Sequence, residues 1–358
     1  MKRKTVLLPL LLLALALLSP QPTAAEGAIE FGDLTGDGTI GAADAAAMLR
    51  GVAFGTLSEQ ARPDLDFTRN GEIDGTDARA ALLYACGGIE DWIAFGERVS
   101  SGLCDERLFD RFRYTGTQND RRGNYRSESI AVAVSGGRFE GSDYYLADIY
   151  VQDIACITTA FSGGKYRGSA DTVRNMFNAV PGAVIAINGD FYSLQGRGPV
   201  IRNGVAYEDR VTRDWDVAVL RSGGELMTYE YRKLTREALE TMDAYQSWVF
   251  GPALLDGEGR AKTKFRSWVQ PENPRTVLGY YEPGHYAFLT VDGRTSGSRG
   301  LTMRQLSALC EQLGFARAYN LDGGRSSVMQ AQDGPVNSPY RDGRPISDMI
   351  VVCDVPTD

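Results

Sequence analysis

The stretch YNLDGGRSSVMQ, Tyr319 to Gln330, ends a short apolar run on a carboxylate and follows it with two glycines, a guanidinium and two hydroxyls. Gly323 and Gly324 let the backbone turn and approach closely, and Arg325, Ser326 and Ser327 offer donors in one small space beside Asp322. Such a turn suits an anion held next to a carboxylate. A second buried run, AVIAI, ends on Asn188, Gly189 and Asp190, and a third set, Arg275 and Thr276, opens the run in NPRTVLG. Polar residues gathered where apolar strands emerge form an active-site pattern, with Asp322 and Asp190 as its carboxylates.

Several other chemistries are excluded by the residues available. His285 is the single histidine, so a Ser-His-Asp triad or a His-rich zinc site cannot be built away from it, and its place between two strands predicts an exposed turn residue. No G-x-S-x-G is present, and SGGKYRGS, Ser162 to Ser169, lacks the ending of a phosphate loop and reads as a surface turn. A net charge of -8 with no basic stripe beyond the first residues argues against a nucleic-acid partner.

The elements that must position these groups begin near Tyr125. SIAVAVSGG, YYLADIYVQD and AVIAINGDFY read as strands, ADTVRNMFNAV as a helix, and VLGYYEPGHYAFLTVDG as a hairpin about Pro283 and Gly284. LTMRQLSALCEQLG predicts an amphipathic helix capped by Thr302 and stopped by Gly314, delivering the chain into the Asp322 turn. Without regular βαβ alternation, this predicts an α+β domain of mixed β-sheets with packed helices over 125–358. Five cysteines are an odd number, so at least one is free or pairs between chains, and Cys310 falls on the apolar helix face as a core thiol.

Two earlier segments align at an offset of 33 residues: DLTGDGTIGAAD from Asp33 and DFTRNGEIDGTD from Asp66. Each sets oxygen-bearing side chains at positions 1, 3, 5 and 12 with glycine at 6, the spacing of a calcium loop. The predicted ligands are Asp33, Thr35, Asp37 and Asp44, with the Thr39 carbonyl, and Asp66, Thr68, Asn70 and Asp77, with the Glu72 carbonyl. Each loop is followed by a helix and preceded by none. This duplicated half EF-hand resembles the dockerin module, which implies a small all-α domain over 27–90, two structural calcium ions and a cohesin domain of a scaffold protein as partner. A purely structural calcium module is the alternative.

The first residues combine Lys2 to Lys4, an apolar run from Val6 to Leu18 and small residues at Ala24 and Ala25, which predicts a signal peptide over 1–25. The expectation is a secreted protein, extracellular or associated with a cell-surface scaffold, and no later run is apolar enough to span a membrane. Residues 91–124 read as a connector.

The ordered set INGDFY, GPVIRNGV, FGPALLDG, NPRTVLGYY, TVDGR, NLDGGRSSVM and RPISDMIVV resembles the phosphodiester glycosidase family. The resemblance implies hydrolysis of a sugar-1-phosphodiester at the anomeric C–O bond. It also implies site positions at Asn188, Asp190, Arg275, Asp322, Gly323, Gly324, Ser326 and Ser327, with no cofactor certain in that domain. For this chemistry Arg275 and Arg325 are the phosphate ligands and Ser326, Ser327 and Thr276 assist. Asp322 is the first choice of carboxylate and Asp190 the second. The alternatives are a non-catalytic glycan-binding or cell-envelope protein on the same scaffold, and a glycoside hydrolase without a phosphate requirement.

Overall fold

The computed structural model describes residues 31–59, 62–195, 198–211 and 214–354, so the predicted signal peptide lies outside the described residues. The chain divides into two compact units, the first comprising Met1–Phe67 with Glu72–Ala85 and the second Thr68–Gly71 with Cys86–Asp358.

In the first unit the helices Ala42–Ala53 and Gly75–Ala85 bury Ala45 and Met48 on one and Ala78, Ala80 and Ala81 on the other. Small side chains on the second helix let the pair approach closely. In the second unit, residues 91–124 are ordered beyond a bare connector. Asp91 caps the helix Trp92–Ser101 by accepting from the amides of Ile93 and Ala94, and Phe95 and Phe109 pack edge to face at 5.4 Å between ring centroids.

Two antiparallel sheets make the body of the second unit. The larger has seven strands, the last five in spatial order being Ile130–Phe139, Ser142–Val151, His285–Val291, Arg275–Glu282 and, at the edge, Arg317–Asn320. The smaller has five, with Met329–Ala331, Ala183–Asn188, Asp348–Cys353 and Ile157–Phe161 in spatial order. Period-two alternation explains how they stack. Ile185, Ile187, Ile350 and Val352 share one core with Ile130, Val132, Leu278 and Phe288 of the larger sheet. The opposite pleat of the larger sheet, with Val277, Leu289 and Val291, packs under Leu306, Leu309 and Cys310 of the helix Met303–Gln312. Across the smaller sheet, Ala186, Met349 and Val351 meet Val173, Met176 and Phe177 of the helix Val173–Asn178.

The α+β class therefore holds, but the sheets are not mixed: every strand pairing named among the described residues is antiparallel. The expected hairpin forms between Arg275–Glu282 and His285–Val291, and Thr302 caps the following helix through Gln305. No helix among the described residues is long and apolar enough to cross a membrane.

His285 is not an exposed turn residue. Its ring stacks between Tyr150 at 4.1 Å and Tyr281 at 4.0 Å, with Nε2 2.7 Å from Asp148 Oδ1. Two cross-strand tyrosines cover its faces, which the turn signal alone could not reveal. All five cysteines are unpaired, Cys86 exposed and the others buried.

Candidate active site

The strand Arg317–Asn320, the last of the larger sheet, leads through Leu321 to Asp322, which lines a pocket of 230 Å³. The following turn is held by the chain before Arg275: the Gly324 amide donates to the Pro274 carbonyl at 3.0 Å. A Cβ on Gly323 would sit 2.8 Å from that carbonyl, and Gly324 has a φ of +64° with Arg294 Nη2 3.0 Å from the place its Cβ would take. The two glycines are thus required by the protein's own backbone and guanidinium.

Asn188 fixes this turn to the smaller sheet. Its Nδ2 donates to the Asp322 carbonyl at 2.8 Å, and its Oδ1 accepts from Thr276 Oγ1 at 2.8 Å. Both side chains are wholly buried, so Asn188 and Thr276 are braces that set where Asp322 stands.

Asp322 is 7% exposed. Ser326 Oγ donates to Oδ2 at 2.6 Å, and Arg344 reaches the same oxygen through Nη2 at 2.6 Å while its Nε donates to Ser326 Oγ at 2.7 Å. Both side-chain bonds land on Oδ2, which leaves Oδ1 outside the Ser326 and Arg344 clamp. Burial pushes the Asp322 pKa above its usual value, against the lowering by Ser326 and Arg344. The group is therefore a carboxylate made more basic than one in water.

Four arginines line the same pocket: Arg275, Arg294, Arg325 and Arg344. Arg275 is 1% exposed, with Nε donating to the Leu301 carbonyl at 2.9 Å and Nη2 to the Pro271 carbonyl. Burial first and the Arg294 charge second pull it down to about 10, so it remains a cation at neutral pH. Arg325 is exposed, and one of its nitrogens donates to the Gly343 carbonyl at 2.8 Å. Ser326 joins the Asp322 cluster, whereas Ser327 lies 1% exposed, its hydroxyl has no hydrogen-bond partner among the described residues, and it does not line the pocket. One carboxylate against four guanidinium groups makes a pocket suited to an anion.

Asp190 does not join Asp322. Its Oδ1 accepts from Arg202 at 3.0 Å and from the Tyr192 amide at 3.2 Å, its Oδ2 from the Val249 amide at 2.7 Å, and it is 1% exposed. With these lone pairs committed, Asp190 is a structural anchor and not a second catalytic carboxylate. Arg202 also bonds Asp348, so a fully buried cluster holds two carboxyl groups on one guanidinium. Burial raises Asp348 to about 7, opposed by Arg202 and reinforced by Asp190. The cluster holds the backbone that leads to Phe191, whose φ of 67° is strained for a bulky residue and whose ring lies 4.8 Å under the Arg344 guanidinium.

Arg344, Arg294, Arg202 and Asp348 escaped selection from the sequence. Each nevertheless stands inside one of the seven motifs, in RPISDMIVV, TVDGR or GPVIRNGV. A charged residue inside an otherwise apolar motif was the available signal.

In the first unit, Asp33, Asp37 and Asp44 each offer an oxygen within 4.8 Å of the others. Asp44 Oδ1 accepts from the Thr35 amide and hydroxyl at 2.8 and 2.9 Å, and Asp37 Oδ1 from the Thr39 amide at 2.9 Å. Burial opposes ionisation of Asp44, yet hydrogen bonds from Gly41 and Thr35 hold it below its usual pKa. Gly38 supplies the left-handed turn with a φ of +85°. This donor set of hard oxygens at a glycine turn fits a calcium ion. In the second loop the Asp74 amide donates to Asp77 Oδ2 at 2.8 Å, and Asn70 Nδ2 donates to Glu106 Oε1 at 2.5 Å.

Comparison with known proteins places these observations. Residues 181–353 match the model of the family described as phosphodiester glycosidase. The SPbeta prophage-derived uncharacterized protein YomE of Bacillus subtilis (strain 168) is 27% identical over 163 residues, covering 44% of this chain and 25% of that protein. This chain spans about a quarter of that relative's length. Among solved structures, the fold resembles the zebrafish N-acetylglucosamine-1-phosphodiester alpha-N-acetylglucosaminidase catalytic domain auto-inhibited by its pro-peptide. That match has a TM-score of 0.52 at 18% identity and covers 67% of this chain and 88% of that one.

Proposed function

We propose that the second unit is a hydrolase that cleaves the anomeric C–O bond of a sugar-1-phosphodiester, with Asp322 as its catalytic carboxylate. The observation that carries this reading is one half-clamped buried carboxylate sharing a 230 Å³ pocket with four arginines. The family match over 181–353 supports the same reaction class.

Water attacks the anomeric carbon as Asp322 Oδ1 takes its proton. The bond from that carbon to the ester oxygen breaks, and the electron pair leaves on the phosphate as a monoester. That leaving oxygen is far less basic than an alkoxide, so guanidinium groups can replace a general acid. Arg275, Arg294 and Arg325 neutralise the phosphate, while Arg344 and Ser326 keep Oδ2 occupied and direct Oδ1 to the water. With Asp190 committed to Arg202, a single displacement with inversion is the reaction that these residues support.

The experiment is sugar release from N-acetylglucosamine-1-phosphodiesters and from the matching glycosides that lack phosphate, beside Asp322→Asn. Release from the diester alone, lost on substitution by 100-fold or more, is the expected result. Equal release from both would return the reading to a general glycoside hydrolase. Binding without release would make it a glycan-binding protein.

For the first unit we propose a calcium ion held by Asp33, Asp37 and Asp44 with Thr35, and a second at the Asp66 loop, within a dockerin that tethers a secreted enzyme to a cohesin. The support is the doubled loop spacing and the close acidic triad of the first loop. Calcium-dependent capture by a panel of cohesins tests it, and no capture by any member contradicts the tether.

A further inference from the structure

The pocket around Asp322 is smaller than the roughly 300 Å³ and above that drug-sized ligands occupy, so it admits about one sugar ring with its phosphate. Whatever the phosphate is esterified to must lie outside. At the mouth stands Trp268, 72% exposed yet lining the pocket. A lone exposed aromatic is ordinary on a protein surface, but this one belongs to a pattern.

Along the chain leading to it, Lys264, Arg266 and Trp268 are exposed while Phe265 and Ser267 are half-buried and Val269 is buried. Every second side chain of the stretch 264–268 is thus open to solvent. Lys264 and Arg266 line a second depression, of 450 Å³. Two chain segments run from one cavity to the other: Phe250 and Val269 line the first, and Pro252 and Phe265 of the same segments line the second.

The charge left over in this depression is positive. Glu230 is paired with Lys262 at 2.9 Å, and both oxygens of Asp216 accept from amides, of Tyr231 at 2.9 Å and of Ala253 at 3.0 Å. Lys264 and Arg266 bond no carboxylate among the described residues, and the exposed Arg266 has its guanidinium carbon 4.3 Å from the centre of the Tyr231 ring.

We infer that Trp268, Arg266 and Lys264 form a second binding track for the leaving side of the substrate, and that this side is an extended anionic glycan carrying at least one further phosphodiester. The inference rests on the phosphodiester glycosidase reading of the pocket and names its substrate class. Trp268 stacks on the sugar that follows the scissile phosphate, and Arg266 and Lys264 take the next phosphate. A substrate with a small alcohol as its leaving side would leave the track unused.

The test uses oligomers of N-acetylglucosamine 1-phosphate with one, two and four phosphodiester links, titrated against the full chain carrying Asp322→Asn. The dissociation constant should fall about fivefold to tenfold from one link to two, the size of one or two exposed charge-assisted contacts. Added salt should shrink that gain. Adding Lys264→Ala and Arg266→Ala together should remove the gain and leave affinity for the single-link compound unchanged. Both residues are exposed, so thermal melting should not move. Trp268→Ala should weaken binding of every oligomer.

Affinity independent of length, or a gain that survives the double substitution, overturns the inference. Turnover by the unsubstituted protein separates the two readings. Hydrolysis of the single-link diester without any length effect would refute the track and keep the glycosidase. A length effect lost in the double variant, with no hydrolysis of any oligomer, would keep the track and refute the glycosidase.

Discussion

Arg344→Gln perturbs the candidate site at its most informative point. The side chain gives Asp322 Oδ2 a charged hydrogen bond at 2.6 Å and supports Ser326 at 2.7 Å. A hydrogen bond to a charged group contributes about 1.5 to 3 kcal/mol. Arg344 is 35% exposed, so solvent screening places this one at the lower end, about 1.5 kcal/mol. At 1.36 kcal/mol per decade that is about tenfold in kcat/KM. The pH profile carries a second signature. Burial raises the pKa of Asp322 and Arg344 is among the groups that lower it, so without Arg344 the carboxylate is harder to keep ionised. Activity needs the carboxylate, so the acid limb should move to higher pH and the loss should be largest on the acid side. The assay is kcat/KM against pH for the wild type, Arg344→Gln and Arg344→Lys, with lysine restoring part of the loss. An acid limb that stays in place with a rate within twofold of wild type would refute the clamp.

Other consequences can be checked separately. Asp348→Asn should flatten the pH dependence of stability: a carboxyl raised to about 7 stabilises the fold fully below the unfolded value and loses that contribution as pH rises toward 7, at about 1.4 kcal/mol per unit. Denaturation at pH 4 to 8 reads this, and identical slopes for variant and wild type would contradict it. Calcium at a hundredfold above its Kd should stabilise the protein by about 2.7 kcal/mol per bound ion, and Asp44→Ala should remove the share of the first-loop ion in melts with and without chelator. The first sugar product should carry the opposite anomeric configuration to the substrate, followed by NMR during turnover; retention would make Asp322 a nucleophile.

Much of the scaffold was legible because it is local. The helix Met303–Gln312 announced itself through its apolar period, the Thr302 cap and Gly314. The hairpin before it was equally plain from the Pro283-Gly284 turn, and Asp322 was legible as the carboxylate ending a buried strand. What stayed hidden depends on partners distant in the chain. Asp190 and Asp322 look alike as residues at strand ends, and only the fold reveals that Arg202 and the Val249 amide occupy the first while a pocket opens on the second. Arg344 meets Asp322 across 22 residues, and Arg202 meets Asp348 across 146, separations at which no periodicity or spacing rule acts. His285 read as a turn residue because its two covering tyrosines come from neighbouring strand positions that the sequence does not mark.

The central claim is that the bond broken is the one between the anomeric carbon and oxygen, with the phosphate leaving intact. Hydrolysis of an N-acetylglucosamine-1-phosphodiester in water enriched in oxygen-18 tests it directly, with the products read by mass spectrometry. Attack at the sugar carbon, as the Asp322 geometry predicts, places the label on the sugar and none on the phosphate monoester. Label on the phosphate would show attack at phosphorus, and the pocket would then be that of a phosphodiesterase.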